Sequence, residues 1–99
     1  MVKIVWTQLS VEDLNEIYSY IASDSTRYAS ITIDKIYNRV QILSDKPNVG
    51  RIVPEFNTKT IRELIEGNYR IIYRLKRDDQ IDILRVYHSA RFLRKKSLK

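Results

Sequence analysis

One short segment, residues 46–54, divides the sequence into two halves with different patterns. It holds three of the four glycines and prolines of the chain, Pro47, Gly50 and Pro54, and such residues interrupt helices and strands. Before this segment apolar residues recur at intervals of three and four, and after it they alternate with polar residues. The sequence therefore predicts an α+β fold, in which a helical hairpin from the first half covers one face of a sheet.

The first half predicts a strand followed by two helices. Residues 2–6 alternate as a strand does. Ser10, followed three positions later by Asp13, is typical of a helix N-terminus, so we expect the first helix to begin there. Apolar residues spaced 4, 3, 4 and 3 apart run through residues 29–43, which is the seam of a helix packed beside a neighbour. The short connection at residues 23–25 favours an antiparallel helical hairpin.

The second half predicts an antiparallel sheet. Residues 61–65, 69–75 and 81–87 are rich in β-branched and aromatic side chains with period two, as strands are. The connections between them are short enough for hairpins, and residues 51–53 could add a fourth strand. The predicted order is strand, helix, helix and then three or four strands, within a single domain that spans residues 1–99.

The pairing of the last two strands decides whether Arg70 and His88 meet. With a two-residue turn, Arg70 pairs with Tyr87 and His88 lies opposite Tyr69, which is a position typical of a structural residue. With a three-residue loop, Arg70 lies directly opposite His88 and a small cationic site can form. The sequence alone leaves both registers open.

Composition and charge narrow the classes of function. The chain has no cysteine and one histidine, so we expect no disulfide, no metal site and no cofactor. Its first residues fit neither a signal peptide nor a spanning helix, which predicts a cytoplasmic protein without membrane contact. Residues 1–49 carry five basic and six acidic side chains, whereas residues 50–99 carry 13 and six. That asymmetry suits nucleic acid, an anionic membrane surface or an acidic protein partner.

An ordered set of short motifs covers nearly the whole chain. The motifs are Trp6, Asp13-Leu14, Ile17-Tyr18-x-Tyr20-Ile21, Pro47-x-x-Gly50-Arg51, Pro54-Glu55, Arg62-Glu63-Leu64, Tyr69-Arg70-Ile71-Ile72-Tyr73 and Val86-Tyr87-His88-Ser89-Ala90-Arg91. This set resembles the RelE/ParE family, the plasmid-stabilisation type of toxin from bacterial type II toxin–antitoxin systems. The resemblance implies a small basic toxin that is neutralised by an acidic, partly disordered antitoxin and forms a hetero-oligomer with it.

The family that these motifs resemble has two activities. RelE-like members cleave mRNA at the ribosome, and ParE-like members poison DNA gyrase. For the nuclease activity, the resemblance implies that Arg70 contacts the phosphate and that Glu55 acts as the base. His88 corresponds to the histidine or lysine that nuclease members carry near the end of the last strand. Nucleases of the family usually follow that histidine with an arginine or tyrosine, whereas Ser89 and Ala90 stand here. The sequence therefore favours a ParE-like action on gyrase. An mRNA endonuclease and an inactive or simple nucleic-acid-binding module are the alternatives.

Further basic residues are candidate contacts to nucleic acid or to the target. The arginines in the strands are also what the solvent-exposed face of any half-exposed strand carries, so a purely structural interpretation applies to them as well. The charges in the last nine residues fit a nucleic-acid-binding tail and a solvated terminus equally well. Most of the tyrosines and the one tryptophan fall on helical stripes or strand faces and are expected in the core. The candidate basic residues are Arg51, Arg62, Arg74, Arg91, Arg94, Lys95 and Lys96.

Overall fold

Two helices and five strands make up the part of the chain that the computed structural model describes, which is residues 2–77 and 79–89. The predicted order of elements is confirmed, and the fourth strand of the second half is present. Neither helix is long and apolar enough to cross a membrane. The elements are β1 (Lys3–Trp6), α1 (Gln8–Ala22), α2 (Thr26–Gln41) with a 3-10 turn at Ile42–Ser44, β2 (Arg51–Ile52), β3 (Ile61–Glu66), β4 (Tyr69–Lys76) and β5 (Gln80–His88).

The five strands form one sheet in the order β1-β5-β4-β3-β2. The pairs in the second half are antiparallel, as predicted, but β1 lies parallel to β5. The sheet is therefore mixed, and the expectation of a purely antiparallel sheet is wrong for this one pair. The chain passes from β1 straight into the helices instead of turning back, so β1 is joined to its neighbour by a long crossover, which permits parallel pairing.

The start of α1 differs from the prediction. The helix begins at Gln8, and Thr7 rather than Ser10 is the N-cap: the Ser10 amide donates to Thr7 Oγ1 at 3.2 Å. Thr7 Oγ1 also donates to the Ile83 carbonyl of β5 at 2.7 Å. This contact between distant parts of the chain fixes the cap, and Ser10 lies buried in the first turn.

The helical seam of the second helix is confirmed. Ser25 caps α2 by accepting the Tyr28 amide at 3.0 Å, and Ile36, Val40 and Leu43 are fully buried. The helical hairpin packs on one face of the sheet, as the 4-3-4-3 spacing and the short connection between the helices predict. The buried sheet residues of this main core are Leu64, Ile71, Tyr73, Ile81, Ile83 and Val86.

A second, smaller apolar cluster lies on the opposite face of the sheet. Val53, Ile72, Leu84 and Tyr87 are buried there, and Phe56 and Ile61 pack against them. Val53 and Phe56 belong to residues 53–60, the connection between β2 and β3, which we call the strap. Because the strap crosses this face, the centre of the sheet is covered on both sides.

A bulge sets the register of β4 and β5. Near the loop of residues 77–79, Lys76 pairs with Gln80, but a shift between Ile72 and Tyr73 changes the register along the hairpin. Beyond it, Arg70 pairs with Tyr87 and Tyr69 pairs with His88. An extra residue in β5 at the bulge thus restores, at the far end, the register that a two-residue turn would have given.

Candidate functional site

Arg70 lies at the centre of an ionic network on the face of the sheet away from the helices. Side chains alternate along β4, so Arg70 shares this face with the buried Ile72. The Arg70 side chain is only 7% exposed. Its Nη1 and Nη2 donate to Glu55 Oε2 and Oε1 at 2.8 and 2.9 Å, and its Nε donates to Glu63 Oε1 at 2.6 Å. Two carboxylates thus hold one guanidinium.

The network continues from Glu63 to Arg51. The Glu63 side chain is fully buried, and its second oxygen accepts a hydrogen bond from Arg51 Nε. Arg51 is 63% exposed, so the network runs from the sheet centre to the surface. We call Glu55, Arg70, Glu63 and Arg51 the ionic network. Its two cations and two carboxylates are paired with one another, as the burial of charge requires.

The electrostatics of Arg70 follow from these partners. The hydrogen bond to Glu55 has the largest effect and raises the pKa of Arg70 above its ordinary value. Desolvation acts in the opposite direction, and the bond and charge of Glu63 raise the pKa further. Arg70 is therefore a permanent cation whose charge is matched inside the protein.

His88 lies on the other face of the sheet. It pairs directly with Tyr69, and the two rings meet edge to face with centroids 6.0 Å apart. Tyr69 precedes Arg70 in the same strand, so its side chain, and that of His88 opposite it, point towards the helices. The structure brings Glu55 and Arg70 together but does not bring Arg70 and His88 together.

A cleft of about 400 Å³ opens beside His88, between α1 and the ends of β4 and β5. Its walls include Glu16 and Tyr20 of α1 and Tyr69 of β4. Burial raises the pKa of the Tyr69 phenol, and the nearby Tyr28 and Tyr20 raise it further. This cleft is a mixed aromatic and acidic surface, and the sequence analysis did not single it out.

A second ion pair fixes α1 to β5. Arg85 Nε and Nη2 donate to Asp13 Oδ2 and Oδ1 at 2.8 and 2.9 Å, and the Val86 amide also donates to Asp13 Oδ2 at 2.9 Å. The Arg85 guanidinium lies 4.7 Å from the centre of the Tyr87 ring. The hydrogen bond to Asp13 is the main cause that raises the pKa of Arg85. Asp13 therefore joins two elements instead of capping its own helix.

The remaining candidate basic residues have different environments. Arg62 donates to the carbonyls of Gly50, Asn48 and Lys59 at 3.0 to 3.3 Å, so its guanidinium holds loops together. Arg74 is exposed on the same face as Arg70, and Arg51 is exposed at its edge. Four candidates, Arg91, Arg94, Lys95 and Lys96, lie outside the described residues.

The role of Glu63 in the ionic network was not predicted from the sequence. Glu63 follows Arg62 in β3, and nothing local indicates that its carboxylate is buried. The only available signal was its place, in hairpin register, on the same face as Arg70. Among residues 2–77 and 79–89, no group of three His, Cys, Asp or Glu side chains could hold a metal ion.

The sequence matches known toxins over most of its length. Residues 4–92 match the family described as ParE toxin of type II toxin–antitoxin system, parDE. Y4kP of Sinorhizobium fredii is 34% identical over 89 residues, which are 88% of each protein. Toxin RelE2 of Caulobacter vibrioides is 30% identical over 91 residues, which are 92% of this chain and 99% of the relative.

The fold agrees with the sequence comparison. The structure described as the chromosomal ParDE TA system from P. aeruginosa superposes with a TM-score of 0.74 at 26% identity. The match covers 89% of this chain and 96% of that one. The motifs, the hairpin on its sheet and these matches lead to one conclusion: the chain belongs to the ParE toxin family of type II toxin–antitoxin systems.

Proposed function

We propose that this toxin inhibits growth through a ParE-like action on DNA gyrase and does not cleave mRNA. The observation that supports the proposal is the separation of Arg70 and His88 on opposite faces of the sheet. RNA cleavage needs a base, an acid and a cation that meet at one phosphodiester within hydrogen-bonding reach. Two of the three candidates for these roles, Arg70 and His88, have the sheet between them, so they do not meet around one phosphate.

The proposed partner is an acidic antitoxin whose disordered segment folds on binding. The excess of positive charge in residues 50–99 suits an acidic chain, and coupled folding of such segments is common. The solved relative is described as a ParDE TA system, which is consistent with a toxin that works as half of a pair. We place this hetero-oligomer in the cytoplasm and treat residues 1–99 as one domain.

The alternative function is a ribosome-dependent mRNA endonuclease. Two observations favour it: the 30% identity to Toxin RelE2, and the contact between Glu55 and Arg70 on one face of the sheet. A base beside a phosphate-binding arginine is a plausible pair for nuclease chemistry. The exposed Arg51 and Arg74 on that face would suit nucleic acid, so they also support the alternative of a simple nucleic-acid-binding module.

Two assays on purified protein separate these functions. The proposal predicts inhibition of gyrase-dependent supercoiling and no cuts in a ribosome-programmed cleavage assay. The His88→Ala variant tests the helix-side face, and Arg27→Ala, at an exposed arginine of α2 that is not a candidate contact, serves as the control. Site-specific cuts in the A-site codon that disappear in His88→Ala would contradict the proposal and establish the nuclease.

A further inference from the structure

The cleft beside His88 is lined on one side by α1 and on the other by the ends of β4 and β5. Its volume of about 400 Å³ lies within the range of clefts that hold small ligands, roughly 300–1,000 Å³. β1 pairs with β5 only as far as Ile83, and beyond that residue Asp13 of α1 binds the edge of β5 at the Val86 amide. The cleft therefore lies where α1 replaces a neighbouring strand, and the proposed action on gyrase assigns it no role.

Two tyrosines give this cleft an aromatic wall. Tyr20, near the end of α1, is 82% exposed, and Tyr69 of β4 is half-buried. The two side chains are close enough for Tyr20 to contribute to the raised pKa of Tyr69. The face of a tyrosine ring carries partial negative charge and attracts a cation that lies within about 6 Å of the ring centre. A cation that enters the cleft therefore finds aromatic faces on both of its walls.

The charge of the cleft is acidic, although the chain as a whole has a net charge of +6. α1 contains Glu12, Asp13 and Glu16 and no lysine or arginine, so no side chain of the helix offsets the negative end of its dipole near Tyr20. Asp13 is bound by Arg85, and the exposed Glu16 adds a second carboxylate to the cleft wall. None of the described residues that line the cleft is a lysine or an arginine. The carboxylates here therefore exceed the one guanidinium by one charge.

We propose that the cleft beside His88 receives an arginine side chain from a partner protein. A guanidinium is planar and weakly hydrated, so it stacks on a tyrosine face while its N–H groups donate to a carboxylate such as that of Glu16. Lysine is a strongly hydrated point charge, and an acidic side chain is repelled by Glu16. The cleft and the basic half of the chain thus select opposite charges, so a partner that spans both binds in one orientation. The inference does not depend on the target of the toxin.

The test is an NMR titration of the full chain with blocked peptides, in 0.15 M salt at pH 8, above the ordinary pKa of histidine. Each peptide places arginine, citrulline or leucine between alanines. The arginine peptide should shift the ring signals of Tyr20 and Tyr69. It should bind about tenfold more tightly than the citrulline peptide, which has the same shape without the charge. Equal affinity of these two peptides, or tighter binding of the leucine peptide, would overturn the proposal.

Variants of exposed residues test the two parts of the site. Glu16→Gln should weaken binding of the arginine peptide about three- to fivefold and leave the citrulline peptide unaffected. Glu12→Gln makes the same change of charge one turn earlier on α1, outside the cleft, and should leave both unaffected. Tyr20→Leu removes a ring face and should weaken the arginine peptide about two- to fivefold, whereas Tyr18→Leu, outside the cleft, should not. Control variants that weaken binding as much as the cleft variants would contradict an arginine site in this cleft.

Discussion

Arg70 and His88 point to opposite faces of the sheet, although they lie at neighbouring positions of the same hairpin. Arg70 pairs with Tyr87, the residue before His88, and His88 pairs with Tyr69, the residue before Arg70. The relationship depends on the bulge in β5, because a single-residue change of register would turn every side chain beyond it to the other face. The bulge therefore determines which charged groups of the hairpin meet, and it separates the ionic network from the cleft beside His88.

Loss of Arg70 should destabilise the fold strongly. Arg70→Ala would leave the fully buried Glu63 with one partner, so we expect a cost of about 3–5 kcal/mol. Arg74→Ala, in the same strand but exposed, should stay within about 0.5 kcal/mol. Urea unfolding of both variants measures the difference. Similar costs for the two would mean that the network contributes little to stability.

Gly50 should tolerate no side chain. A Cβ there would lie 2.5 Å from Tyr73 Oη and 2.6 Å from the Glu63 carbonyl. Tyr73 Oη cannot move away easily, since it accepts from the Gly50 amide and donates to the Pro47 carbonyl. Gly50→Ala should cost about 1–3 kcal/mol through overpacking. The measurement is the urea midpoint.

The comparison for this variant is Gly67→Ala. Gly67 has a φ of +56° and open space around it, so only its left-handed backbone is penalised, by about 1 kcal/mol. A combined variant with Tyr73→Phe should recover part of the Gly50→Ala loss, because the clashing hydroxyl is gone. No recovery would show that the backbone, and not Tyr73, is the obstacle.

The buried seam residues of α2 should contribute more to the free energy of unfolding than the exposed residues of the same helix. Ile36 is fully buried in the main core, and truncation to alanine should cost about 2–5 kcal/mol. Ile31, in the same helix but 38% exposed, should cost about 1 kcal/mol or less. Thermal and chemical unfolding of the two alanine variants give the comparison. Equal losses would contradict the packing of this helix face on the sheet.

Alkaline pH should unfold the protein partly through Tyr73. Burial raises the pKa of Tyr73 above 10.0, although the hydrogen bond from Gly50 opposes the shift. The unfolded phenol then ionises first, so the free energy of unfolding is unaffected below pH 10 and falls as pH rises beyond it, by at most about 1.4 kcal/mol per pH unit. Urea unfolding at pH 9, 10 and 11 measures the slope.

The slope should be smaller in Tyr73→Phe, which has no phenol to ionise. Tyr37→Phe is the matched control, since Tyr37 is 50% exposed and phenylalanine keeps the stacking on Trp6, and it should keep the wild-type slope. An unchanged slope in Tyr73→Phe would assign the alkaline loss to other groups, such as Tyr69.

The sequence predicts those parts of the fold that depend on local periodicity. The seam of residues 29–43 arises from burial of one face of the helix, and the strands are rich in β-branched and aromatic residues, so both signals are visible in the chain itself. The predicted start of α1 is wrong because Thr7, and not Ser10, caps the helix. The Thr7 hydroxyl is held in place by its hydrogen bond to the Ile83 carbonyl, 76 positions away. No local pattern records such a contact.

The candidate site was harder to predict for the same reason. A bulge is a single inserted residue that leaves the alternation on either side intact, so the sequence could not choose between the registers of Arg70 and His88. The partners of Arg70 come from β3 and from the strap, and nothing in the sequence distinguishes these two glutamates from the other acidic residues. Only the folded sheet brings Glu55 and Glu63 to one guanidinium.

The parallel pairing of β1 with β5 has a consequence for synthesis on the ribosome. β1 forms the edge of the sheet and neighbours only β5, which ends at residue 88. Until β5 has left the exit tunnel, the nascent chain carries a first strand without its neighbour and helices whose apolar faces have no complete sheet to cover. Domains generally fold as units, and distant pairings form slowly. The toxin therefore reaches its folded form only after nearly all of the described chain has been translated.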